Sequence, residues 1–301
     1  MKGIGAAAAE RDGPPRGDAS PAGGAPADFL SELRVPDLSD RAFRRVAELA
    51  HAVAGIKLPP EKRELVKSRL IKRVRALDAA GFDEYVALVE RDPEELGRMI
   101  DVLTTNKTNF FREEAHFAFL RSEVLPRIAA RGRKLRVWSA ACSSGEEPYT
   151  IAMVLRESLP DLDEWDARIL ATDISARMIA AATRGSYRAD QLDGVDKALR
   201  ARYFRGSERE GRFEAGDALK RLVTFARLNL MQDWPMRGPF DVVFCRNVMI
   251  YFDKPTQERL VNRFFDLICP GGYLFVGHSE SLTPLEHRYQ FVQPATYRRP
   301  A

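Results

Sequence analysis

Apolar residues recur every three or four positions in the first third of the chain and form short continuous runs after it. Val66, Leu70 and Val74, for example, fall on one face of a helix, which is the spacing of an amphipathic helix packed on a core. Similar stripes continue to residue 103, and no strand pattern interrupts them. We therefore predict an all-helical domain over residues 29–103.

From residue 135 onward, short apolar runs alternate with helical patterns. The runs predict strands at 135–141, 168–172, 223–230, 241–245 and 273–276, and helices at 147–159, 175–183 and 256–268. Such alternation is typical of a parallel α/β sheet, whose ligands lie beyond the carboxyl ends of the strands. The sequence thus predicts an α/β domain over residues 135–301. A small antiparallel β insertion is predicted at about 194–220, where polar residues and glycines break the alternation.

Two segments lie outside these domains. Residues 1–28 are rich in Ala, Gly and Pro and lack apolar periodicity, which predicts a disordered leader. Residues 104–134 begin with polar side chains ahead of Phe110, Phe111 and Arg112, whereas interdomain linkers are usually Gly/Pro-rich or charged. We interpret residues 104–134 as a linker that closes a cleft as a lid. A capped connector is the alternative.

The composition is that of an ordinary globular protein, with 45 % apolar and 30 % charged residues among 301. No apolar run approaches the roughly 20 residues that cross a bilayer, and no secretory signal is present. Three scattered cysteines predict neither a disulfide framework nor a thiolate metal site. We expect a cytoplasmic protein without a metal and without direct membrane insertion.

The net charge of +4 is unevenly placed. Between Lys57 and Arg75 eight basic residues stand against two acidic ones. Such a block attracts nucleic acid, lipid headgroups or an acidic protein surface. A solvated helix face is the alternative, and charge by itself does not separate them.

Carboxylates mark the first two strand ends of the predicted sheet. Glu146 and Glu147 open a helix after a turn of small residues, where they disfavour a phosphate and favour a cationic group such as an ammonium. An ordinary strand-to-helix turn is the alternative. Asp173 follows the second strand, the position from which a carboxylate accepts hydrogen bonds from ribose hydroxyls. A helix cap is the other interpretation of Asp173.

Arg246 and Asn247 directly follow the predicted strand at 241–245, so they lie at the same edge of the sheet as these carboxylates. An arginine at a buried strand end is unfavourable unless it is paired or faces a cleft. The sequence therefore allows two roles for Arg246: contact with a ligand, or an ion pair within the fold.

Together these segments resemble the CheR-type chemotaxis receptor methyltransferases. The matching stretches are GIKLPPEKRELVKSRLIKRVRAL (55–77), TTNKTNFFRE (104–113), RVWSAACSSGEEPYTIAM (136–153), ATDIS (171–175), FDVVFCRNVMIYFDKPTQ (240–257) and PGGYLFVGHSESL (270–282). The resemblance covers residues 29–299. It implies an all-helical N-terminal domain followed by a Rossmann-like methyltransferase domain with a small antiparallel β insertion.

The resemblance also implies an activity. Members of the family use S-adenosyl-L-methionine to esterify glutamate side chains of receptors for sensory adaptation, and they release S-adenosyl-L-homocysteine. The implied partners are glutamate-rich cytoplasmic helices of chemoreceptors. In some members the β insertion also holds a receptor C-terminal tail peptide.

Site residues follow from the same resemblance. It implies cofactor contacts from Asn106, Thr108, Arg112, Glu146, Asp173, Asn229, Leu230, Arg246 and Asn247, with Glu146 favoured over Glu147 for the cofactor ammonium. Arg112 and Arg246 are the predicted catalytic residues and orient carboxylates. A glutamate substrate is ionised above its pKa of ~4.3, so no general base is expected. Receptor helices are expected to dock on Arg63, Lys67, Arg69, Lys72, Arg73 and Arg75.

Two other function classes are alternatives. A nucleic-acid methyltransferase would fit the basic segment, but the strand end reads Cys245-Arg246-Asn247-Val248. That is not the Asp/Asn-Pro-Pro-aromatic run typical of enzymes that methylate an exocyclic amine, and we predict no nucleic-acid partner. A cofactor-binding adaptor without turnover is the second alternative.

Overall fold

A computed structural model describes residues 37–207 and 209–301. The predicted leader, residues 1–28, and the first part of the predicted helical domain, residues 29–36, lie outside the described residues. Among the described residues, no helix combines the length and the apolar character needed to cross a membrane.

The all-helical character of the N-terminal part is confirmed. Its helices are α1 (Asp40–Ala54), α2 (Arg63–Ala76), α3 (Phe82–Val89) and α4 (Pro93–Leu103). Ser39 caps α1 by accepting a hydrogen bond from the amide of Ala42 at 3.0 Å. Val46, Leu70, Tyr85 and Met99 meet in a core from which water is excluded. The apolar stripes read from the sequence are therefore the inner faces of one helical cluster.

Helix α1 ends against the sheet part of the protein. Gly55 closes the helix with a φ of 70°, in the left-handed region. A Cβ at this position would lie only 2.8 Å from Sδ of Met231, so a larger residue would have to displace that side chain as well as adopt the left-handed φ. The amide of Lys57 then donates to the carbonyl of Tyr251 at 2.9 Å. The end of α1 is thereby held at the edge of the sheet.

The interval 104–134 differs from the predicted linker. After the polar loop it forms α5 (Ala115–Phe119), a π-turn (Leu120–Val124) and α6 (Leu125–Ala129). Phe117, Leu120 and Val124 are fully buried in the core beside the sheet. The sequence predicts no helix here because the polar loop dominates the start of the segment. Only the polar loop links the helical part to the sheet domain. Helices α5 and α6 belong to the sheet domain.

The central sheet confirms the predicted α/β class. Its strands are β1 (Lys134–Ala140), β2 (Asp166–Asp173), β6 (Val223–Arg227), β7 (Phe240–Cys245), β8 (Ile268–Val276), β9 (Gln290–Gln293) and β10 (Thr296–Arg298). They lie in the order β6-β2-β1-β7-β8-β10-β9. The first five in this order are parallel, whereas β10 is antiparallel to both neighbours. The sequence did not predict β9 and β10, and the strand predicted at 223–230 ends at Arg227.

Helices cover both faces of this sheet. They are α7 (Glu146–Ser158), α8 (Ala176–Arg184) and α11 (Lys254–Leu267). Val137 pairs with Ile169 on one side and with Val242 on the other, so β1 lies between β2 and β7. The strand order reverses at this point, and parallel sheets bind ligands beyond such a reversal.

The antiparallel character of the predicted β insertion is confirmed. Strands β3 (Ser186–Arg188), β4 (Phe204–Ser207) and β5 (Arg212–Ala215) form a second sheet in the order β3-β5-β4. Two short helices, α9 (Lys197–Tyr203) and α10 (Asp217–Lys220), accompany them. The insertion begins before residue 194, because β3 is a three-residue strand that leaves no readable alternation in the sequence.

Candidate active site

A cleft opens at the carboxyl ends of the central strands. The turns after β1, β2, β6 and β7 form its floor, and the polar loop at 104–112 forms one wall. Ala54, Ile56 and Leu103 close it from the helical part. The space is about 1040 Å³ including solvent at the mouth, which suits a nucleoside-sized ligand.

Eight of the nine predicted cofactor contacts line this cleft. They are Asn106, Thr108, Arg112, Asp173, Asn229, Leu230, Arg246 and Asn247. Glu146 is not among the cleft-lining residues, whereas its neighbour Glu147 is. The structure therefore brings together residues from four separate stretches of the sequence.

Asp173 is a buried carboxylate at the end of β2. One oxygen accepts a hydrogen bond from the amide of Ser143 at 2.8 Å, and the other accepts from the amide of Ser175 at 2.9 Å. Burial raises the pKa of Asp173, and these two backbone bonds partly offset that effect. The cap of α8 is Ser175, whose hydroxyl accepts from Met178, so Asp173 is not the helix cap. The amide of Ile174 is a third backbone donor to this carboxylate, which leaves about one of its four acceptor sites for a ligand donor.

The two glutamates after β1 point to different surroundings. Glu146 is buried beside Ser144 and Gln191, from which its carboxylate accepts hydrogen bonds at 2.7 and 3.4 Å. Burial raises the pKa of Glu146. Glu147 faces the cleft and accepts from the hydroxyl of Ser139 at 2.7 Å. The geometry favours Glu147, the alternative to the predicted Glu146, as the anion available to a ligand.

Arg246 is an almost fully buried cation between two carboxylates. Its guanidinium donates to Glu147 and to Glu113, at 3.0 Å in each case. It also donates to the carbonyl of Arg112. Of the two roles that the sequence left open, the structure shows the ion pair within the fold. The positive charge of Arg246 is neutralised before any ligand arrives.

Arg112 has a different environment. Its guanidinium lines the cleft and donates to the carbonyl of Lys107 at 2.8 Å. Within residues 37–207 and 209–301 it has no carboxylate partner, and the adjacent Glu113 pairs with Arg246 instead. Arg112 is thus a cleft cation that remains available to an anionic ligand.

Glu113 has no role predicted from the sequence, yet its carboxylate connects the polar loop to the turns after β7 and β8. Besides Arg246, its carboxylate accepts from Nδ2 of Asn247 and from the amide of His278, both at 3.3 Å. Burial acts to raise the pKa of Glu113, but the charge and hydrogen bond of Arg246 outweigh it, so the pKa is lowered. The only sequence signal was its place at the end of the TTNKTNFFRE stretch.

Glu280 is a second residue that the sequence interpretation missed. Its buried carboxylate accepts from the amides of Gly277 at 2.6 Å, Asn247 at 2.7 Å and Ile250 at 3.2 Å. Gly277 is required here, because an added Cβ would lie 2.4 Å from Nδ2 of Asn247. Glu280 therefore shapes the turn that presents Asn247 to the cleft.

Backbone strain is concentrated around the cleft. Seven non-glycine residues among those described have a left-handed φ, a conformation that is uncommon outside glycine. Five of them belong to the turns just described: Phe111, Glu113, Ala141, Ser143 and Asn247. Strained residues persist where the surroundings hold them, and they cluster at functional sites.

The remaining predicted contacts also support the cleft wall. Asn229 donates to the carbonyl of Val53 in α1 at 2.6 Å, and Leu230 is buried below it. The carbonyl of Asn106 accepts from the hydroxyl of Ser143 at 2.9 Å. These bonds hold the helical part and the polar loop against the sheet, with the side chain of Thr108 on the cleft surface.

The predicted docking residues on α2 fall into two groups. Arg63, Lys67 and Arg73 pair with Asp40, Asp37 and Glu95, respectively, and Arg69 donates to the carbonyl of Leu103. Lys72 and Arg75 are exposed and have no ion pair with a described residue. Four of the six predicted docking residues are therefore tied into the helical cluster, and the other two, Lys72 and Arg75, remain on its surface without an ion pair to any described residue.

Comparison with known proteins decides the family. The model of the CheR methyltransferase SAM-binding domain matches residues 106–298, and that of the CheR methyltransferase all-alpha domain matches residues 41–104. The chain belongs to the CheR methyltransferase family. This confirms the resemblance read from the sequence, and the CheR domain is an S-adenosylmethionine-dependent methyltransferase.

Curated relatives align with this CheR chain over almost their whole length. A probable chemotaxis protein methyltransferase of Rhizobium etli is 44 % identical, covering 83 % of this chain and 96 % of the relative. The chemotaxis protein methyltransferase of Escherichia coli is 42 % identical, with coverage of 86 % and 91 %. Chemotaxis protein methyltransferase 2 of Pseudomonas aeruginosa is 41 % identical, with coverage of 85 % and 91 %.

Proposed function

We propose that this chain transfers the methyl group of S-adenosylmethionine to side-chain carboxylates of glutamates in chemoreceptors, forming glutamate methyl esters for sensory adaptation. The observation that carries this proposal is the state of Arg112, a cleft guanidinium with no carboxylate partner among the described residues. A planar guanidinium binds a carboxylate through two parallel hydrogen bonds. A glutamate side chain is the protein group that fits it.

The cleft also fits the cofactor. Ile174, Leu228 and Leu230 offer an apolar surface for a flat base, and the carboxylate of Asp173, which lines the cleft, suits a ribose hydroxyl. Glu147 offers negative charge to an ammonium group. Asn106, Thr108, Asn229 and Asn247 would contribute polar contacts around them. When bound, S-adenosylmethionine supplies a methyl group on a positively charged sulfur.

The residues of the chain position the substrate carboxylate and transfer no proton. A glutamate substrate is ionised at neutral pH, with an ordinary pKa of ~4.3, and needs no base. Arg112 holds its carboxylate, whereas Arg246 keeps the Arg112–Glu113 backbone and the β7 turn in place. We thus assign orientation of the substrate to Arg112 and a positioning role to Arg246. Orientation of reactants is worth several kcal/mol, on the order of 7–11 at most.

The nature of the product tests this proposal directly. The full chain would be incubated with methyl-labelled cofactor and with membranes that carry chemoreceptors from the same cell. We expect label in the receptor that alkali releases as volatile methanol, because a carboxyl methyl ester hydrolyses in base. Label that survives alkali, or that enters nucleic acid, would point to the nucleic-acid alternative. Cofactor binding without any label transfer would support an adaptor instead.

Asp173→Asn should weaken cofactor binding by about 10- to 100-fold. The substitution removes a charged acceptor, and hydrogen bonds to charged groups contribute about 1.5–3 kcal/mol. Calorimetric titration with S-adenosylhomocysteine would measure the effect, with the exposed Asp163→Asn as the matched control. Equal affinity in Asp173→Asn and the unchanged protein would remove Asp173 from the cofactor site.

Receptor helices rich in glutamate are proposed to dock near the free cations of α2. Reversing both Lys72 and Arg75 to glutamate should lower receptor methylation about tenfold at low salt, because electrostatic steering raises association rates by 10-fold or more. Cofactor affinity should stay within about twofold. A control would reverse Arg121 and Lys134, two exposed cations outside the helical cluster. Equal losses in both double variants would argue against docking on α2.

A receptor tail peptide is proposed to bind the β insertion by strand addition. In the described residues β4 pairs along one side, with β5, and its other side offers backbone groups to an extended peptide. Synthetic C-terminal peptides from the cell's own chemoreceptors, titrated against the full chain, would test this. Binding that persists when Gly206 in β4 is replaced by proline would exclude this edge.

A further inference from the structure

Glu113, His116 and His278 lie together beside the cleft, on the side formed by Arg246 and Asn247. Glu113 and His116 are three residues apart at the start of α5, and His278 follows β8. One potential metal-ligand atom from each side chain lies within 4.8 Å of the other two. The carboxylate of Glu113 is 3.5 Å from Nδ1 of His116. The fold thus joins two imidazoles and a carboxylate from distant parts of the chain.

His116 is the unusual member of this group. Its side chain is fully buried, and neither ring nitrogen has a hydrogen-bond partner among the described residues. A buried polar group without a partner is costly, and such groups in native proteins call for an explanation such as a bound ion. Contacts with the rings of Phe275 and His278 account for its packing, and the approach of Glu113 to Nδ1 at 3.5 Å is not a hydrogen bond.

The chemistry of the group matches a divalent transition metal. Each imidazole has a ring nitrogen that can donate a lone pair to such an ion, and the carboxylate of Glu113 has two oxygens that can do so. Two ligands about 2.1 Å from a tetrahedral zinc ion are about 3.4 Å apart, close to the separation of Glu113 and His116. His278 is exposed and gives an ion access from solvent.

The charged side chains around these three residues are compatible with a bound cation. Arg246 is the positive group that contacts Glu113, and Glu147 also pairs with it. Apart from the imidazoles, these two carboxylates and one guanidinium leave one net negative charge. A divalent ion therefore enters a region that is not positive overall.

We propose that Glu113, His116 and His278 form a binding site for a late first-row divalent ion, with Zn²⁺ as the representative. Imidazole and carboxylate ligands suit this class of ion, and three protein ligands leave a position open. This departs from the expectation of no metal drawn from the sequence. The carboxylate of Glu113 also accepts hydrogen bonds from Arg246 and Asn247 in the cleft wall. A metal ion bound to this carboxylate competes with those hydrogen bonds. Zinc is then an inhibitor of the methyltransferase.

Titration of the full chain with Zn²⁺, and with Co²⁺ as a spectroscopic probe, tests the site. We expect one equivalent to bind and a cobalt spectrum without a thiolate charge-transfer band. His278→Gln should weaken binding at least tenfold, and because His278 is exposed the variant should fold. His51→Gln, an exposed histidine outside the group, should bind like the unchanged protein. Equal binding in His278→Gln, or a thiolate band, would overturn the site.

A separate experiment tests whether zinc competes with the cleft wall for Glu113. This part of the inference rests on the proposed function. One equivalent of Zn²⁺ should lower receptor methylation in the unchanged protein and in His51→Gln, but not in His278→Gln. Equal inhibition of all three proteins would show that zinc acts elsewhere and would overturn the coupling. The binding measurements do not use receptor or cofactor, so a failed methylation assay would count against the proposed function and leave the site testable.

Discussion

Arg112→Ala should lower the rate of methyl transfer by about 10²-fold at saturating cofactor. Arg112 is the cleft guanidinium that no described carboxylate neutralises, and misplacing a reacting group by about 1 Å costs about 10²-fold in rate. Its loop is rigid, because the amide of Phe111 donates to Thr150 at 3.2 Å and Phe110 packs edge-on against Tyr187. The guanidinium is therefore held in place before substrate arrives.

The measurement separates catalysis from cofactor binding. Initial rates with receptor membranes give kcat, and calorimetry with S-adenosylhomocysteine gives the cofactor Kd. We expect Arg112→Lys to recover part of the rate, since lysine keeps the charge but not the planar pair of donors. Arg121→Ala removes an exposed arginine and should behave like the unchanged protein. If the cofactor Kd rises as much as kcat falls, Arg112 acts on the cofactor and not on the substrate.

Arg246→Leu should destabilise the fold by about 3–5 kcal/mol, the usual result of removing one partner from a buried ion pair. Glu113 and Glu147 would then remain buried without their shared cation. Urea unfolding monitored by tryptophan fluorescence would measure the free energy of unfolding. Arg127→Leu is the matched control, because its pair with Glu123 is exposed and surface pairs contribute little.

A triple variant distinguishes charge burial from packing. Arg246→Met combined with Glu113→Gln and Glu147→Gln removes all three charges while nearly keeping the volume. It should recover most of the lost stability, because well-packed neutral replacements of buried ion pairs are often neutral or stabilising. It should remain inactive, since the bonds that position the cleft wall are gone. A triple variant as unstable as Arg246→Leu would mean that shape, not charge, sets the stability.

Local sequence patterns were sufficient to predict the parallel strands and the cleft edge. Asp173 and Arg246 could be placed there because each follows a buried apolar run, and parallel strands end at one edge. Patterns failed where an element was short or its neighbours were polar, as for β3 and for the helices at 115–129. Three residues of strand leave too little alternation to be recognised.

Within the site, the sequence identified which residue types reach the cleft, and the tertiary structure decided how they pair. Glu146 and Glu147 are adjacent, but successive residues of a helix point about 100° apart. The way α7 packs on the sheet therefore decides that Glu147, and not Glu146, faces the cleft. Arg246 meets Glu147 and Glu113 across 99 and 133 residues of chain. Spacing along the sequence contains no information about such contacts, because they arise when separate strands bring their ends together. The sequence by itself determined the family, the fold class and the cofactor, whereas the folded chain alone decided that Arg246 is neutralised and that Arg112 is free.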